Sequence, residues 1–318
     1  MKQFISVNDV KDVKKLISKA IELKKNTFIS KTIGNNKTIG LVFFNPSLRT
    51  RLSSQKAAFN IGCNTWILNI NSDSWKIETS DGSIMNSTHS QEHLKEAIGI
   101  MSLYCDILAV RTFPGLIDRE YDYKEILLKK IINYSKVPVV NLESATLHPL
   151  QSLADLITIE EFNKIKKKLK IVLSWAPHIK ALPQSVPNSF IEWVKKLKNI
   201  KLYITNPDGY NLNSHFTNGI KFIKNQNEAF QNADFIYSKN WSSYDNYGKI
   251  LCKDLSWTIT NKKIKLSNNA KFMHCLPVRR NLVVEDSVLD EKNSLVLNQA
   301  ENRIFATQTV FLEILENI

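Results

Sequence analysis

Apolar residues fall along this chain in two alternating patterns. Short runs rich in Val, Ile, Leu and Phe occur at Thr38–Phe44, Thr65–Ile70, Ile107–Arg111 and Val137–Leu142. They return at Lys170–Trp175, Lys201–Thr205, Asp234–Ser238 and Phe272–Leu276. Runs with so little polar alternation read as strands buried on both faces, as in a parallel sheet. Between them, apolar positions recur at helical spacing. Val10–Lys25 places Val13, Leu16, Ile17, Ala20 and Leu23 on one stripe. Arg51–Ile61, Glu92–Leu103, Gln151–Phe162, Ser189–Leu197 and Thr307–Leu315 read the same way. Two runs of four strands with crossover helices predict an α/β protein of two doubly wound domains with mainly parallel sheets. The boundary is expected near His148–Asp155, giving a first domain over 1–149 and a second over 150–301. The last helix, about 302–318, is expected to pack back on the first domain, although periodicity does not dictate that placement. In open parallel sheets ligands gather at the carboxyl ends of the strands, so the site is expected in the cleft between the two domains.

A length of 318 residues suits two such domains, and the charged and apolar fractions are those of a soluble globular protein. No apolar run approaches the roughly 20 residues of a membrane span. The N-terminal Met1-Lys2-Gln3-Phe4 is not followed by a signal-peptide stretch, and the expected location is cytoplasmic. Cys63, Cys105, Cys252 and Cys275 show no C-x-x-C spacing and read as reduced thiols. The first three are expected to pack as small apolar residues. A net charge of +13 invites a nucleic-acid reading. Lysine pairs such as Lys14-Lys15, Lys24-Lys25 and Lys195-Lys196 alternate with apolar residues at helical spacing, however, and read as solvated helix faces. No basic patch interleaved with aromatics accompanies them.

Charge type narrows the picture more than net charge does. Only seven of the 43 basic residues are arginine: Arg49, Arg51, Arg111, Arg119, Arg279, Arg280 and Arg303. Where any cation suffices this chain uses lysine. A retained guanidinium suggests a need for its planar fork, which grips two oxygens at once. Ser47-Leu48-Arg49-Thr50-Arg51 lies between a predicted strand and helix. Ser47 can cap that helix, and the free N–H groups of the first turn make an anion site to which Arg49 adds a fork. No G-x-x-x-x-G-K-[ST] or G-x-G-x-x-G competes. His148-Pro149-Leu150-Gln151 opens the helix after the fourth strand, and a neutral His148 could donate to a polarised carbonyl oxygen. His274-Cys275-Leu276-Pro277 ends the last strand, with Arg279-Arg280 just beyond and able to lower the Cys275 pKa. Each has a structural alternative: an ordinary N-cap with surface arginines, a histidine that only closes its helix, a cysteine that only packs. No zinc-ligand spacing surrounds His274 and Cys275, and no base partner for a covalent thiol mechanism is evident.

These three motifs resemble those of the aspartate and ornithine carbamoyltransferases. Ser47–Arg51 is similar to their S-x-R-T-R, His148–Gln151 to H-P-x-Q, and His274–Pro277 to the H-C-L-P of the ornithine branch. They occur in family order at family spacing, and the resemblance covers nearly the whole chain. One departure is informative. The ornithine enzymes carry a D-x-x-x-S-M-G loop, whereas here the run is Asp234-Phe235-Ile236-Tyr237-Ser238-Lys239-Asn240-Trp241. A lysine there suits a carboxylate better than a free α-ammonium. That feature and the stretch Trp175–Gln184 resemble the N-acylornithine carbamoyltransferases, with the His178 and Gln184 neighbourhood closer to the succinyl type. The loop Asn86–Glu92, with Ser90-Gln91, fits neither acyl type cleanly.

The resemblance implies transfer of a carbamoyl group from carbamoyl phosphate to the δ-amine of N-succinyl- or N-acetyl-L-ornithine, as a step of arginine biosynthesis. It implies Arg49, Arg111, His148 and Cys275 as catalytic candidates. Ser47, Leu48, Arg49, Thr50, Trp75, Arg111, His148, Gln151, Cys275, Leu276 and Arg303 would bind carbamoyl phosphate. Glu143, His178, Lys239 and Arg279 would bind the acylornithine. Trp75 would reach a neighbouring subunit's site in a homotrimer. No metal, organic cofactor, nucleic acid or membrane is implied. An ordinary ornithine carbamoyltransferase is the nearest alternative, and a lysine-rich nucleic-acid-binding protein is a distant one.

Overall fold

The computed structural model describes residues 1–70, 72–86, 89–163 and 168–318. Asn71, beside Trp75's loop, and Ser87 and Thr88, within the Asn86–Glu92 loop, therefore lie outside the described residues. The chain divides into two compact units. The first comprises Met1–Pro114, Glu120–Leu150 and Arg303–Ile318; the second comprises Gly115–Arg119 and Gln151–Asn302.

In the first unit the strands are β1 (Thr38–Phe43), β2 (Asn64–Asn69), β3 (Ile77–Glu78), β4 (Glu92–His93), β5 (Ile107–Arg111) and β6 (Val139–Glu143). Four of them form one parallel sheet in the order β2-β1-β5-β6, and β3 pairs with β4 separately. The β1 and β5 runs are almost wholly buried, as their unbroken apolar character predicts. Val42, Ile98, Leu108, Val110, Ile131 and Val139 form the centre of the core. Gly40 in β1 is required by close approach: a Cβ there would lie 2.4 Å from the Trp66 ring on β2. The first long helix, Val13–Lys25, starts where Asp12 accepts a hydrogen bond from the Lys15 amide. All five apolar positions of its predicted stripe are buried. The segment from Arg303 onward packs within this unit. Lys19 pairs with Glu313 and Glu316 at 2.6 and 2.9 Å, and Asn60 Nδ2 donates to Gln308 Oε1 at 2.9 Å.

In the second unit the strands are β7 (Leu169–Trp175), β8 (Ile200–Thr205), β9 (Lys221–Phe222), β10 (Phe235–Lys239) and β11 (Lys271–Met273). They form a parallel sheet in the order β11-β10-β7-β8-β9. Val172, Phe230, Ile236, Phe272 and Val284 lie in its core. A second buried layer is aromatic. Trp175 Nε1 donates to the Trp241 carbonyl at 2.9 Å, Trp241 Nε1 donates to the Tyr210 carbonyl at 2.8 Å, and the Trp175 and Tyr210 rings stand 4.8 Å apart. Both indole N–H groups thus keep a partner despite full burial.

Three expectations are corrected. The strand expected over Phe272–Leu276 ends at Met273, because the pairing with β10 ends at Tyr237↔Met273 and the backbone turns left-handed at Leu276, with φ 54°. The last helix runs Val296–Leu315, so it starts ahead of the expected Thr307 and of the expected boundary near 302. A further helix, Ile126–Tyr134, fills the crossover from β5 to β6 and escaped the periodicity reading.

Candidate active site

The carboxyl ends of three adjacent strands in the first unit gather most of its candidate residues. Phe43 of β1 pairs with Arg111 of β5, and Arg111 pairs with Glu143 of β6. The chain leaves β1 through Asn45, Pro46 and Ser47 and enters the helix Leu48–Asn60. Ser47 occupies the N-cap position with extended backbone, but its side chain makes no capping hydrogen bond. The expected cap is therefore replaced by a first turn whose amides Ser47 leaves available, which is the arrangement that receives an anion. Leu48 is exposed, Arg49 and Ser47 are half-buried, and Thr50 is buried. Behind that turn the buried Arg303 guanidinium donates from Nη2 to Thr50 Oγ1 at 2.9 Å.

Arg111 is buried and heavily bonded. Its Nε and Nη2 donate to Glu143 Oε2 at 3.0 and 2.9 Å, and Nη1 donates to the Asn45 and Pro46 carbonyls at 2.9 and 3.2 Å. Its guanidinium also lies 4.6 Å from the Phe113 ring centre. One fork therefore ties β5 to β6 and holds the loop that opens the anion-facing helix. His148 is buried, with Nε2 3.8 Å from Glu143 Oε2, so that carboxylate faces a guanidinium and an imidazole together. The turn from Glu143 to His148 is shaped by Glu125. Its Oε1 accepts from Ser144 Oγ, the Thr146 amide and Thr146 Oγ1 at 2.7, 2.7 and 2.5 Å. Burial raises the Glu125 pKa, against the pull of those hydrogen bonds. Trp75 is half exposed and donates from Nε1 to Glu92 Oε2 at 3.0 Å.

In the second unit the candidates again follow strand ends. Lys239 ends β10 beside Trp175 at the end of β7. It is 9% exposed, and its ammonium donates to the Asn240 carbonyl at 3.1 Å. His178 lies just beyond β7. Its Nδ1 is 3.0 Å from the Lys180 carbonyl, and its Nε2 accepts from Arg279 Nε at 3.3 Å. The Lys180 amide lies 3.0 Å from the same Nδ1 as a donor, and acceptance from Arg279 Nε requires Nε2 to be unprotonated, so the geometry suits a neutral ring. Burial holds the His178 pKa below the usual imidazole value. Lys239, Arg279 and Lys180 lower it further, against the Lys180 backbone contact, which raises it.

Beyond β11 the buried His274 gives its amide to Gln299 Oε1 at 2.8 Å and takes the Leu276 amide on Nδ1 at 2.9 Å. The left-handed residue Leu276 is thus braced by the preceding histidine ring. Cys275 and Leu276 are half-buried, and Gln151 is buried with Nε2 donating to Asp155 Oδ1 at 2.8 Å. Of the two arginines expected to influence Cys275, Arg280 is committed elsewhere. It forks onto Asp286 and Asp290 at 2.8 Å each, while Arg279 reaches His178. Among the other thiols, burial pushes Cys63 up to about 12 and Cys105 up to about 11, consistent with inert packing. Cys105 and Cys252 are half-buried rather than fully enclosed. No group of three or more His, Cys, Asp or Glu side chains suited to a metal occurs among the described residues. Among the same residues no helix is long and apolar enough to cross a membrane.

The candidates thus fall into two sets. Ser47, Leu48, Arg49, Thr50, Trp75, Arg111, Glu143, His148 and Arg303 belong to the first unit; Gln151, His178, Lys239, Cys275, Leu276 and Arg279 belong to the second. Glu143 is the one acylornithine candidate in the first unit. Reading the sequence missed Glu125, Asp155 and Gln299. Asp155 alone carried a local signal, four residues after Gln151 on one helix face.

The carbamoyl-P binding domain of the aspartate/ornithine carbamoyltransferases matches residues 2–161, and the Asp/Orn binding domain of the same family matches residues 183–314. The chain is 48% identical over 320 residues to the N-succinylornithine carbamoyltransferase of Bacteroides thetaiotaomicron, covering all of both chains. It is 31% identical over 332 residues to the N-acetylornithine carbamoyltransferase of Xanthomonas axonopodis pv. citri, covering 98% of this chain and 95% of that one. A solved structure of a mutant N-acetyl-L-ornithine transcarbamylase complexed with carbamyl phosphate and N-succinyl-L-norvaline superposes with a TM-score of 0.91. Its sequence identity is 29%, and the match covers 99% of this chain and 100% of that one.

Proposed function

Because the chain belongs to the aspartate/ornithine carbamoyltransferase family, we propose that it transfers the carbamoyl group of carbamoyl phosphate to the δ-amine of N-succinyl-L-ornithine, giving N-succinylcitrulline and phosphate. N-acetyl-L-ornithine is the weaker acceptor in this reading, which places the enzyme in arginine biosynthesis. The observation that carries the choice of acyl group is the pair of cations Lys239 and Arg279, with the neutral His178 bonded to Arg279. Among the described residues, Lys239 donates to a backbone carbonyl and Arg279 to an imidazole, and neither to a carboxylate. Such a set favours an acceptor with two carboxylates over one with a single carboxylate. The 48% identity to the succinyl enzyme, against 31% to the acetyl enzyme, points the same way.

The phosphate sits on the first-turn amides of Leu48–Asn60, with Arg49 forked onto its oxygens and Arg303 behind Thr50. His148 donates to the carbamoyl oxygen, and Arg111 adds positive charge beside it. Both stabilise the negative charge this oxygen gains as the δ-amine attacks the carbamoyl carbon. Gln151 and the backbone at Cys275 and Leu276 hold the carbamoyl amide; Cys275 forms no covalent bond. The amine attacks as its free base. Collapse of the tetrahedral species breaks the bond from carbon to the bridging phosphate oxygen, and the departing phosphate takes up the amine proton. Catalysis comes from placement and charge stabilisation. Glu143 keeps Arg111 and His148 in register while its remaining surface meets the acceptor. The protein works in the cytoplasm as a homotrimer in which Trp75 completes a neighbouring subunit's site.

Crystals soaked with carbamoyl phosphate and N-succinyl-L-norvaline test this directly. The expected density has phosphate oxygens against the amides of residues 48–50 and Arg49, and the succinyl carboxylate beside Lys239 or Arg279. Phosphate bound elsewhere, or an acyl group turned away from both cations, would sink the reading. Sedimentation at a mass of one or two chains would remove the trimer.

A further inference from the structure

Two pieces of the second unit, Gln151 and the His274–Leu276 turn, come from segments more than a hundred residues apart in sequence. One buried carboxylate joins them. Asp155 Oδ1 accepts from Gln151 Nε2 at 2.8 Å and from Gln299 Nε2 at 2.9 Å, and Gln299 Oε1 accepts the His274 amide at 2.8 Å. All four side chains are at least 97% buried. The buried Tyr237 pairs with Met273 in the sheet, and its hydroxyl neighbours Asp155 and Cys275.

The chemistry settles both carboxamide orientations without appeal to how the atoms were assigned. A carboxylate can only accept, so both glutamine nitrogens must face Asp155. A backbone amide can only donate, so the Gln299 oxygen must face His274. The Gln151 oxygen is consequently the end turned away from Asp155, the end that suits the amino group of a carbamoyl ligand. A buried carboxylate is costly unless hydrogen bonds compensate it, and an apolar residue would fill the same space at lower cost.

We propose that Asp155 is a positioning residue: its carboxylate orients Gln151 and, through Gln299, anchors the left-handed turn at Leu276, so that both second-unit pieces of the carbamoyl subsite share one reference point. This rests on the carbamoyl phosphate reading above. Burial first, and then Asp155 and Cys275, raise the Tyr237 pKa well above that of an ordinary phenol.

A charge exchange tests the proposal. Q299E sets two carboxylates face to face. It should raise the KM for carbamoyl phosphate by on the order of tenfold or more, with a smaller change in the KM for the acylornithine. In the double variant D155N/Q299E a turn of the introduced carboxamide about χ2 points its nitrogen at the introduced carboxylate, which still accepts the His274 amide, and its oxygen at Gln151 Nε2. The KM should return to within about threefold of wild type. A packing role alone would give no such rescue. An unchanged KM in Q299E, or a double variant no better than Q299E, would overturn the proposal. If Q299E does not fold, the double variant decides: near-normal KM supports the pairing, and failure to fold or a raised KM contradicts it. Crystal structures separate this proposal from the reading it rests on. Wild-type enzyme that turned over no carbamoyl phosphate would sink that reading. A His274–Leu276 turn displaced in Q299E and restored in the double variant would still support the role of Asp155, and an undisplaced turn would refute it.

Discussion

The two units present their charged candidates in opposite ways. In the first, Arg111 is paired at home: Glu143 accepts two of its N–H groups, and His148 stands beside the same carboxylate. In the second, Lys239 donates to a backbone carbonyl and Arg279 to the His178 ring. A set that carries its own counter-charge holds its geometry with or without ligand. A set of cations without one has electrostatic work left for an anionic ligand. In the proposed mechanism this difference is a division of labour: the first unit keeps transition-state donors fixed and the second selects the acceptor. Arg279 and Arg280 repeat the lesson within two residues. Arg280 is locked onto Asp286 and Asp290, and that pairing lowers both aspartate pKa values, whereas Arg279 donates to an imidazole.

The comparison can be broken first at the paired set. Arg111→Met leaves the Glu143 carboxylate buried and uncompensated and releases the Asn45 and Pro46 carbonyls. Stability should fall by about 3–5 kcal/mol, read as a drop in thermal midpoint, and turnover should be lost with it. A variant of normal stability would show that the pair is not what holds this end of the sheet. Next comes Arg49→Lys, which keeps the charge and removes the fork. The kcat/KM should fall by about 100-fold or more. Arg119→Lys is the control. Arg119 stacks on Tyr244 at 4.7 Å and bonds its carbonyl, so activity should change by less than about threefold. Equal, small losses at both positions would contradict the argument from scarce arginine.

Lys239→Met probes the unpaired set. The KM for N-succinyl-L-ornithine should rise by on the order of tenfold, and that for N-acetyl-L-ornithine by less, while the KM for carbamoyl phosphate stays near wild type. A parallel rise for both acceptors would assign Lys239 to their shared carboxylate. The smallest effect is a proton. His178 has a folded pKa below the usual imidazole value and is neutral in the free enzyme above that lowered pKa. An anionic ligand beside it favours the imidazolium and raises that pKa. Binding of N-succinyl-L-norvaline should therefore take up protons between the free and bound values and tighten as pH falls through that window. Calorimetry in buffers of different ionisation heat should show the uptake in wild type and its loss in His178→Asn. No uptake in wild type would place the ligand's charge away from this ring.

Much of the fold was legible because strands buried on both faces leave unbroken apolar runs. Ile107–Arg111 could be read to the residue. Elements were missed where local pattern and tertiary context part. The two residues of β9, Lys221 and Phe222, are exposed, and the strand is too short to show a pattern. Leu276 looks like more strand, yet the backbone turns left-handed there, as the pairing with Tyr237 stops one strand residue after Phe272. The motifs marked where candidate groups would stand but not how they would be held. The Arg111–Glu143 pair depends on β5 lying beside β6, and the Asp155–Gln299 bond spans 144 positions of sequence. Arg280 shows the limit of reasoning from rarity, since a forked surface ion pair and a ligand site make the same demand on residue type.

The central claim is that this carbamoyltransferase selects an acceptor with two carboxylates. It is tested most directly by measuring kcat/KM with saturating carbamoyl phosphate and, in turn, N-succinyl-L-ornithine, N-acetyl-L-ornithine, L-ornithine and L-aspartate. The account predicts the highest value for the succinyl compound, a lower one for the acetyl compound, and little or no turnover of the other two. Preference for free ornithine would contradict it.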